Sequence, residues 1–366
     1  MIFSEQDMDL LCLLRWCRYL SPDDLHKLFP EDIAANLQAL RLIRRHQTKN
    51  WLMLTTKGNA FLSEHLSALP PDTQLPYQAT AMVRRLRTSK LMLTAYRAGL
   101  PVFTTKMNEL LDRSAFFMPT MERGRVSNPW GSTRIGAVIH LGDLLCSAHY
   151  VCPNIGKLSL TDELALFTNN TAGFRNVCRC FLFAGDSYQS ILSELQEYDD
   201  CDTRKLIRYG DAYRYTSYPC YLLPCNDTGA RQLQVMSVPG YRKKLAQLSL
   251  RQCYAPPPKG NAVWDAMFQG QPLIISVDMD LRRLDAAIQE VHHCGYDTLS
   301  IVIFGEQTSV VLQTFQNERD ILRTFRLKEE TLAELFGQPR PLYTPSPTQY
   351  LTEKGAVIRA PLIQAD

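Results

Sequence analysis

Between Ser4 and His65 the spacing of apolar residues shifts from a helical to a strand-like period and back, which predicts helices, then a ribbon, then another helix. Behind Ser4, the residues Leu10, Leu13, Leu14 and Cys17 fall at i, i+3, i+4 and i+7, the stripe of a helix with one buried face. Ser21-Pro22-Asp23-Asp24 then supplies an N-cap hydroxyl, a proline at the first helical position and a carboxylate three residues after the cap. A second helix starts there, buries Leu25, Leu28 and Phe29, and stops at Pro30. Ile33, Leu37 and Leu40 mark the inner face of a third helix. Past Leu40 the period becomes short: Leu42-Ile43-Arg44-Arg45 and Trp51-Leu52-Met53-Leu54 are strand-like runs around the polar His46-Gln47-Thr48-Lys49-Asn50, a hairpin. Thr55-Thr56-Lys57-Gly58 turns the chain into a fourth helix, which offers Ala60, Phe61 and Leu62 to the first.

Downstream, residues 69–78, with Pro70, Pro71 and Pro76, read as a linker. A long helix follows from Ala79 to Gly99, with Met82, Val83, Leu86, Leu91, Leu93 and Tyr96 interleaved with the cluster Arg84, Arg85, Arg87 and Lys90. Region 112–133 is rich in Gly, Pro, Arg and Ser and reads as a long loop. Arg134–His140, a turn at Leu141-Gly142-Asp143 and Leu144–Val151 form a β-hairpin. A strand is expected over Asn176–Phe183, a helix over Ser187–Tyr198, a strand over Tyr218–Pro224 and a helix over Thr228–Met236. Leu273–Val277, Leu281–His293 with Gly295 as cap, and Leu299–Phe304 make a βαβ unit. Strands separated by helices imply an α/β body, α+β when the N-terminal helices are counted. The divisions are 1–68, 69–111 (linker and basic helix), 112–265 and 266–366, the last ending in a Pro-rich, extended tail after Gly337.

Charge gives the hairpin a meaning. The chain of 366 residues carries a net charge of only +3, so attraction to a polyanion must come from local patches. From Ile33 to Ser63 there is no Asp or Glu, whereas Arg41, Arg44, Arg45, Lys49 and Lys57 all lie in that window. Cations on phosphates release counterions and supply most of the affinity for DNA. With Ile33, Leu37 and Leu40 inward, the third helix presents Ala35, Gln38 and Ala39 outward, with Asn36 and Arg41 at the flanks, so Asn36, Gln38 and Arg41 are the candidates to reach base edges. Asn50 accompanies Lys49 at the tip. Two further segments, 73–108 and 228–264, are also basic and free of acids. Against DNA stand Glu31 and Asp32, at the helix end that would approach phosphates. A solvated surface, or a module that docks protein, is the competing reading of the same pattern.

The arrangement resembles the winged helix-turn-helix pattern of transcription regulators, in which a recognition helix runs into a strand, a basic loop, a second strand and a Leu-Thr-x-x-Gly corner. Leu54, Thr55 and Gly58 match that corner, and the usual glycine before the first strand is Arg41 here. The order of winged helix, basic helix, hairpin and α/β body, together with Arg134-Ile135-Gly136 and the run Ile274 to Leu284, resembles the replication-relaxation family of plasmid and conjugative-element proteins. That resemblance implies a body like a degenerate endonuclease fold, and a DNA-binding accessory or regulatory role in replication, relaxation or transfer. The implied partners are double-stranded DNA and relaxase or replication proteins of the same element, with a homodimer left open.

A nuclease or relaxase is the alternative, and its motifs can be sought. No lysine has Asp or Glu two residues before it, no His-x-His occurs, and there is no Gly-x-x-x-x-Gly-Lys-Ser/Thr. Asp278 and Asp280, with Glu306 at the end of the neighbouring strand, are the remaining carboxylates able to share a metal, and capping of the following helix is the plainer use for that pair. The eleven cysteines contain no Cys-x-x-Cys and read as thiols, so neither metal nor cofactor is expected. With no run of eighteen apolar residues and no basic stretch leading into an apolar one near Met1, no membrane association is expected and a cytoplasmic location is.

Overall fold

The computed structural model describes residues 2–26, 28–70, 78–122, 129–131, 133–152, 160–197, 208–261, 263–340, 350–352 and 357–358. Strand β1 (Ile2–Ser4) runs straight into helix α1 (Glu5–Cys17). Ser4 fixes that start: its hydroxyl accepts the Asp7 N–H at 3.1 Å and the Asp7 carboxylate accepts the Ser4 N–H at 2.7 Å. There follow α2 (Pro22–His26), α3 (Glu31–Ala39), the paired strands β2 (Ile43–Arg45) and β3 (Leu52–Leu54), α4 (Thr56–His65) and α5 (Ala79–Arg97). The expectation of one buried face on α1 is too modest, since every residue from Leu10 to Cys17 is buried. The reason is position. On one side Arg15 donates to Asn59 of α4 and to the Pro70 carbonyl, and on the other Trp16 donates to the Thr104 carbonyl while Cys17 meets Met92 of α5.

Two sheets make up the body. β4 (Ala115–Phe117), β5 (Ala137–Leu141) and β6 (Leu144–Tyr150) are antiparallel; after α6 (Leu160–Asn170), β7 (Cys178–Gly185), α7 (Tyr188–Gln196) and α8 (Tyr209–Tyr215), β8 (Cys220–Pro224) completes the order β4-β5-β6-β7-β8 with β6, β7 and β8 parallel. β4 corrects the expected loop over 112–133: Ala115-Phe116-Phe117 is too short for periodicity to register, yet it is fully buried on the sheet edge. Helices α9 (Asp227–Met236) and α10 (Tyr241–Leu250) lead to the second sheet, built from β9 (Ala266–Phe268), β10 (Gln271–Ile275), α11 (Leu281–Cys294), β11 (Leu299–Ile303), α12 (Gln307–Thr314), β12 (Leu322–Arg326) and α13 (Glu329–Phe336), in the order β12-β11-β10-β9. Each sheet repeats one plan, a glycine-turned hairpin followed by two parallel crossovers, with Gly142 (φ 55°) and Gly270 (φ 77°) at the turns where only glycine is unstrained.

A buried amide network joins the sheets. Gln232 donates to the carbonyls of Leu222 and Asp278 at 2.8 and 3.0 Å, Tyr188 donates to Gln232, and Gln307 donates to Tyr188 and to the Val277 carbonyl, each at 2.8 Å. One hydrophobic cluster runs from Phe3 and Leu62 through α5 and the first sheet to Val277 and Leu332, so the N-terminal helices share the core of the body. The tail is more than extended chain. β13 (Tyr350–Thr352) pairs antiparallel with β1, and β14 (Val357–Ile358) pairs with β13. No helix of the described residues is long and apolar enough to cross a membrane.

Candidate nucleic-acid interface

The ribbon is held by the corner that follows it. Thr55 Oγ1 donates to the carbonyls of Arg41 (2.6 Å) and Leu42 (3.1 Å) and accepts the Gly58 N–H at 3.0 Å, so one hydroxyl both caps α4 and clasps the entry to β2. Gly58 is required by contact: a β-carbon there would stand 2.1 Å from the Leu42 carbonyl oxygen. Arg41, the residue in the place of the expected glycine, has φ 58° and closes α3, donating its N–H to the Gln38 carbonyl while Leu42 donates to Leu37. The left-handed conformation that glycine adopts without strain is present, and an arginine bears it.

Pairing of Ile43 with Leu54 and of Arg45 with Leu52 puts the apolar side chains inward and leaves Arg44 and Arg45 exposed. Met53, opposite Arg44, packs with Tyr19 and Met82, which seats the ribbon on the start of α5. Beyond β2 the loop is closed by His46 N–H to the Trp51 carbonyl (2.8 Å) and by Arg45 donating to the Asn50 side chain. Lys49 and Asn50 are exposed at the tip. Of the candidates on α3, Ala35, Asn36, Ala39 and Arg41 are exposed, whereas Gln38 is half-buried and its amide bonds back to the Ala34 carbonyl at 3.3 Å. Lys57, though exposed, donates to the Leu40 carbonyl at 3.1 Å, a cation at the C-terminal end of α3.

The cations of helix α5, which could extend this surface or form a solvated face, largely meet partners of their own. Lys90 pairs with Asp186 at 2.5 Å, Arg87 donates to the Cys152 thiol at 2.8 Å, Arg85 donates to Thr120 at 2.8 Å, and Arg97 pairs with Asp227. Beside α5 lies a cleft of about 550 Å³ in which Arg87 and Lys90 face four carboxylates, Asp23 and Asp24 from α2 and Asp186 and Glu194 from the segment leading into α7 and from α7 itself. Asp186 is held below the usual carboxylate range by Lys90, Tyr150 and Arg87 despite its burial. Only Arg84 of the four is exposed, and Val83, expected in the apolar stripe, is exposed beside it. In the third basic segment Arg231 is buried against Glu329 and the half-buried Arg242 pairs with the enclosed Asp278, while Lys243, Lys244 and Lys259 face solvent.

The carboxylate candidates are used structurally. Asp278 is enclosed, accepting from the Tyr241 hydroxyl and from Arg242 Nε at 2.7 Å, and Arg242 holds it below its ordinary value against the opposing effect of burial. Asp280 caps α11 by accepting the Arg283 N–H at 3.0 Å, and burial, with Asp278 close by, pushes it up to about 6. Glu306 is exposed and accepts from Asn226. Among the described residues no group of three or more His, Cys, Asp or Glu side chains is placed to hold a metal ion. The ten described cysteines are free thiols, six of them buried. No family model matches the chain, and no curated protein and no solved structure matches it either.

Proposed function

We propose that this protein binds duplex DNA through its ribbon and the exposed side of α3, as a winged helix-turn-helix module does, and that it acts without catalysis as an accessory or regulatory protein in the replication, relaxation or transfer of a mobile genetic element. The observation that carries the reading is the ribbon: Arg44, Arg45 and Lys49 are exposed on a hairpin whose base is clamped by the Thr55–Gly58 corner. Cations on a rigid base meet phosphates with little conformational entropy to lose, and phosphate contacts fix the register of the helix beside them. Asn36 on α3 and Arg41 two residues past its end are exposed, whereas Gln38 bonds back to Ala34, and Asn36 and Arg41 are the residues of choice for reading base edges.

A salt titration of duplex binding, followed by fluorescence anisotropy, tests this. The unmodified chain shows affinity that falls steeply with salt, and Arg44→Ala/Arg45→Ala/Lys49→Ala reduces the slope of log K against log salt by roughly three. An unchanged slope would overturn the ribbon as the DNA-binding element. The protein-docking reading draws on Glu31 and Asp32, which are exposed at the N-terminus of α3 where a phosphate would otherwise be welcomed. Absence of any salt-dependent DNA binding in the same titration would favour it. For the nuclease reading the three carboxylates offer no shared metal position among the described residues.

A further inference from the structure

The second sheet is covered unevenly. Strand pairing sets Leu273, Val302 and Phe325, on three successive strands, on one face, and α10 packs on that face against β9 and β10. Past α10 the cover ends. Phe325 on β12 is 42 % exposed, Leu248 on α10 is 41 % exposed, and no described strand pairs with the far edge of β12. Between them lies a recess of about 300 Å³, floored by Leu250, Leu273 and Val302, with Phe268 set edge-on to Phe325 at 5.9 Å. Two of the five large apolar side chains exposed among the described residues therefore meet at one place.

The mouth of this recess is basic. Arg251, Arg326 and Lys328 line it, and no carboxylate does. All three are exposed, and none takes an ion pair or a side-chain hydrogen bond among the described residues. The charge extends beyond the lining, since Lys244 stands one turn before Leu248 on α10 and Arg323 shares a face of β12 with Phe325, both exposed. Arg251 is held there at φ 47°, a region unfavourable to any residue with a side chain. Of the acids next in sequence, Glu329 pairs with Arg231, and Glu330, exposed on α13, is not part of the lining.

An apolar hollow ringed by unpaired cations is complementary to something apolar at its centre and acidic around it. A nucleic-acid base fits poorly, because its donors and acceptors would lie unpaired on a floor of Leu and Val. A lipid surface calls for apolar side chains that project, whereas Leu248 and Phe325 stand around a hollow. We propose that the recess docks an acidic segment of a partner protein, which sets one bulky apolar side chain against Phe268 and Phe325 and its carboxylates against Arg251, Arg326 and Lys328. The ribbon takes no part in it.

Random heptapeptides displayed on phage and selected on the full chain, after passage over the Leu248→Glu chain to remove binders of other surfaces, supply the probes. Enriched peptides carry a net negative charge and a large apolar residue, and the strongest of them is synthesised with a fluorescent label and followed by anisotropy. Phe325→Glu and Arg326→Glu/Lys328→Glu each weaken its binding by about tenfold or more, with thermal transitions unchanged. The double variant instead gains affinity for the same peptide with its acids replaced by lysine, a swap that a loss of folding could not produce. Enrichment of no peptide, or of neutral or basic ones, overturns the proposal and leaves the cations as a guard on an open sheet edge. Undiminished binding in both variants overturns it too. Displacement of the peptide by oligothymidylate or by phosphatidylserine vesicles, measured on the chain carrying the triple ribbon substitution, would give the recess to nucleic acid or to a lipid surface instead.

Discussion

The ribbon and helix α5 are both basic stretches free of acids in sequence, and they end in opposite circumstances. Arg44, Arg45 and Lys49 remain exposed. Lys90 and Arg97 meet Asp186 and Asp227, which lie far along the chain, and Arg87 and Lys90 look into a cleft lined by carboxylates. Linear separation from acids therefore says nothing about separation in space when an element sits between two layers. A hairpin that projects from the fold keeps the charge its sequence carries. An inner helix has its charge cancelled by whatever packs over it, as Asp186 does for Lys90 and Asp227 for Arg97.

If this contrast is right, substitutions of paired cations and their partners alter stability, while those of ribbon cations alter binding. The largest effect is expected for Asp278→Ala, which strands Arg242 without its enclosed partner and costs about 3–5 kcal/mol in urea unfolding, with DNA affinity of the folded protein unchanged. For the ribbon triple substitution the salt slope falls as described above, yet the urea midpoint stays within about 0.5 kcal/mol of the original. A loss of stability there would show that the ribbon charges are structural after all.

Asp280 adds a pH signature. Because its folded value of about 6 lies above that of an unfolded aspartate, the folded state holds more protons in between, and stability declines as pH rises from about 4 to 6, by on the order of 2 kcal/mol. Asp280→Asn keeps an acceptor for the Arg283 N–H and removes that decline, which urea midpoints across the range would register. Arg41→Gly relieves the left-handed strain and stabilises by about 1 kcal/mol, measured as a higher thermal midpoint, with some loss of DNA affinity if Arg41 contacts the duplex. Smallest is Lys90→Ala: its pair with Asp186 is partly exposed, so the cost stays below about 1 kcal/mol and DNA affinity changes less than about twofold. A drop in affinity as large as that of the ribbon variant would erase the distinction between the two stretches.

Local signals were read well from the chain. The hairpin around Thr48, the corner at Gly58 and the βαβ unit with Asp280 and Gly295 as caps all rest on neighbours within a few residues, where spacing and residue type decide the geometry. What escaped depends on partners distant in sequence. β4 is three residues of an edge strand, too few to show a period. β1 and β13 become strands only because they meet each other. The repeated plan of the two sheets left a faint trace, Gly185-Asp186 at the end of β7 and Gly305-Glu306 after β11, too brief to stand out. For the candidate interface, the cations were legible and their neutralisation was not, since an ion pair such as Lys90 with Asp186 has no signature in either local sequence.

The pairing of Ile2–Ser4 with Tyr350–Thr352 has a consequence for the order in which the molecule can be completed. During synthesis the first residues leave the ribosome hundreds of residues before the strand that pairs with them, so the edge of β1, with Phe3 against Phe61, waits unpartnered until nearly the whole body has been made. Ribosomes that stall late would release chains in which α1 to α4 are folded but still open at that seam. Tyr350–Thr352 thus serves as a fastener for Ile2–Ser4 and for the helix that starts from it.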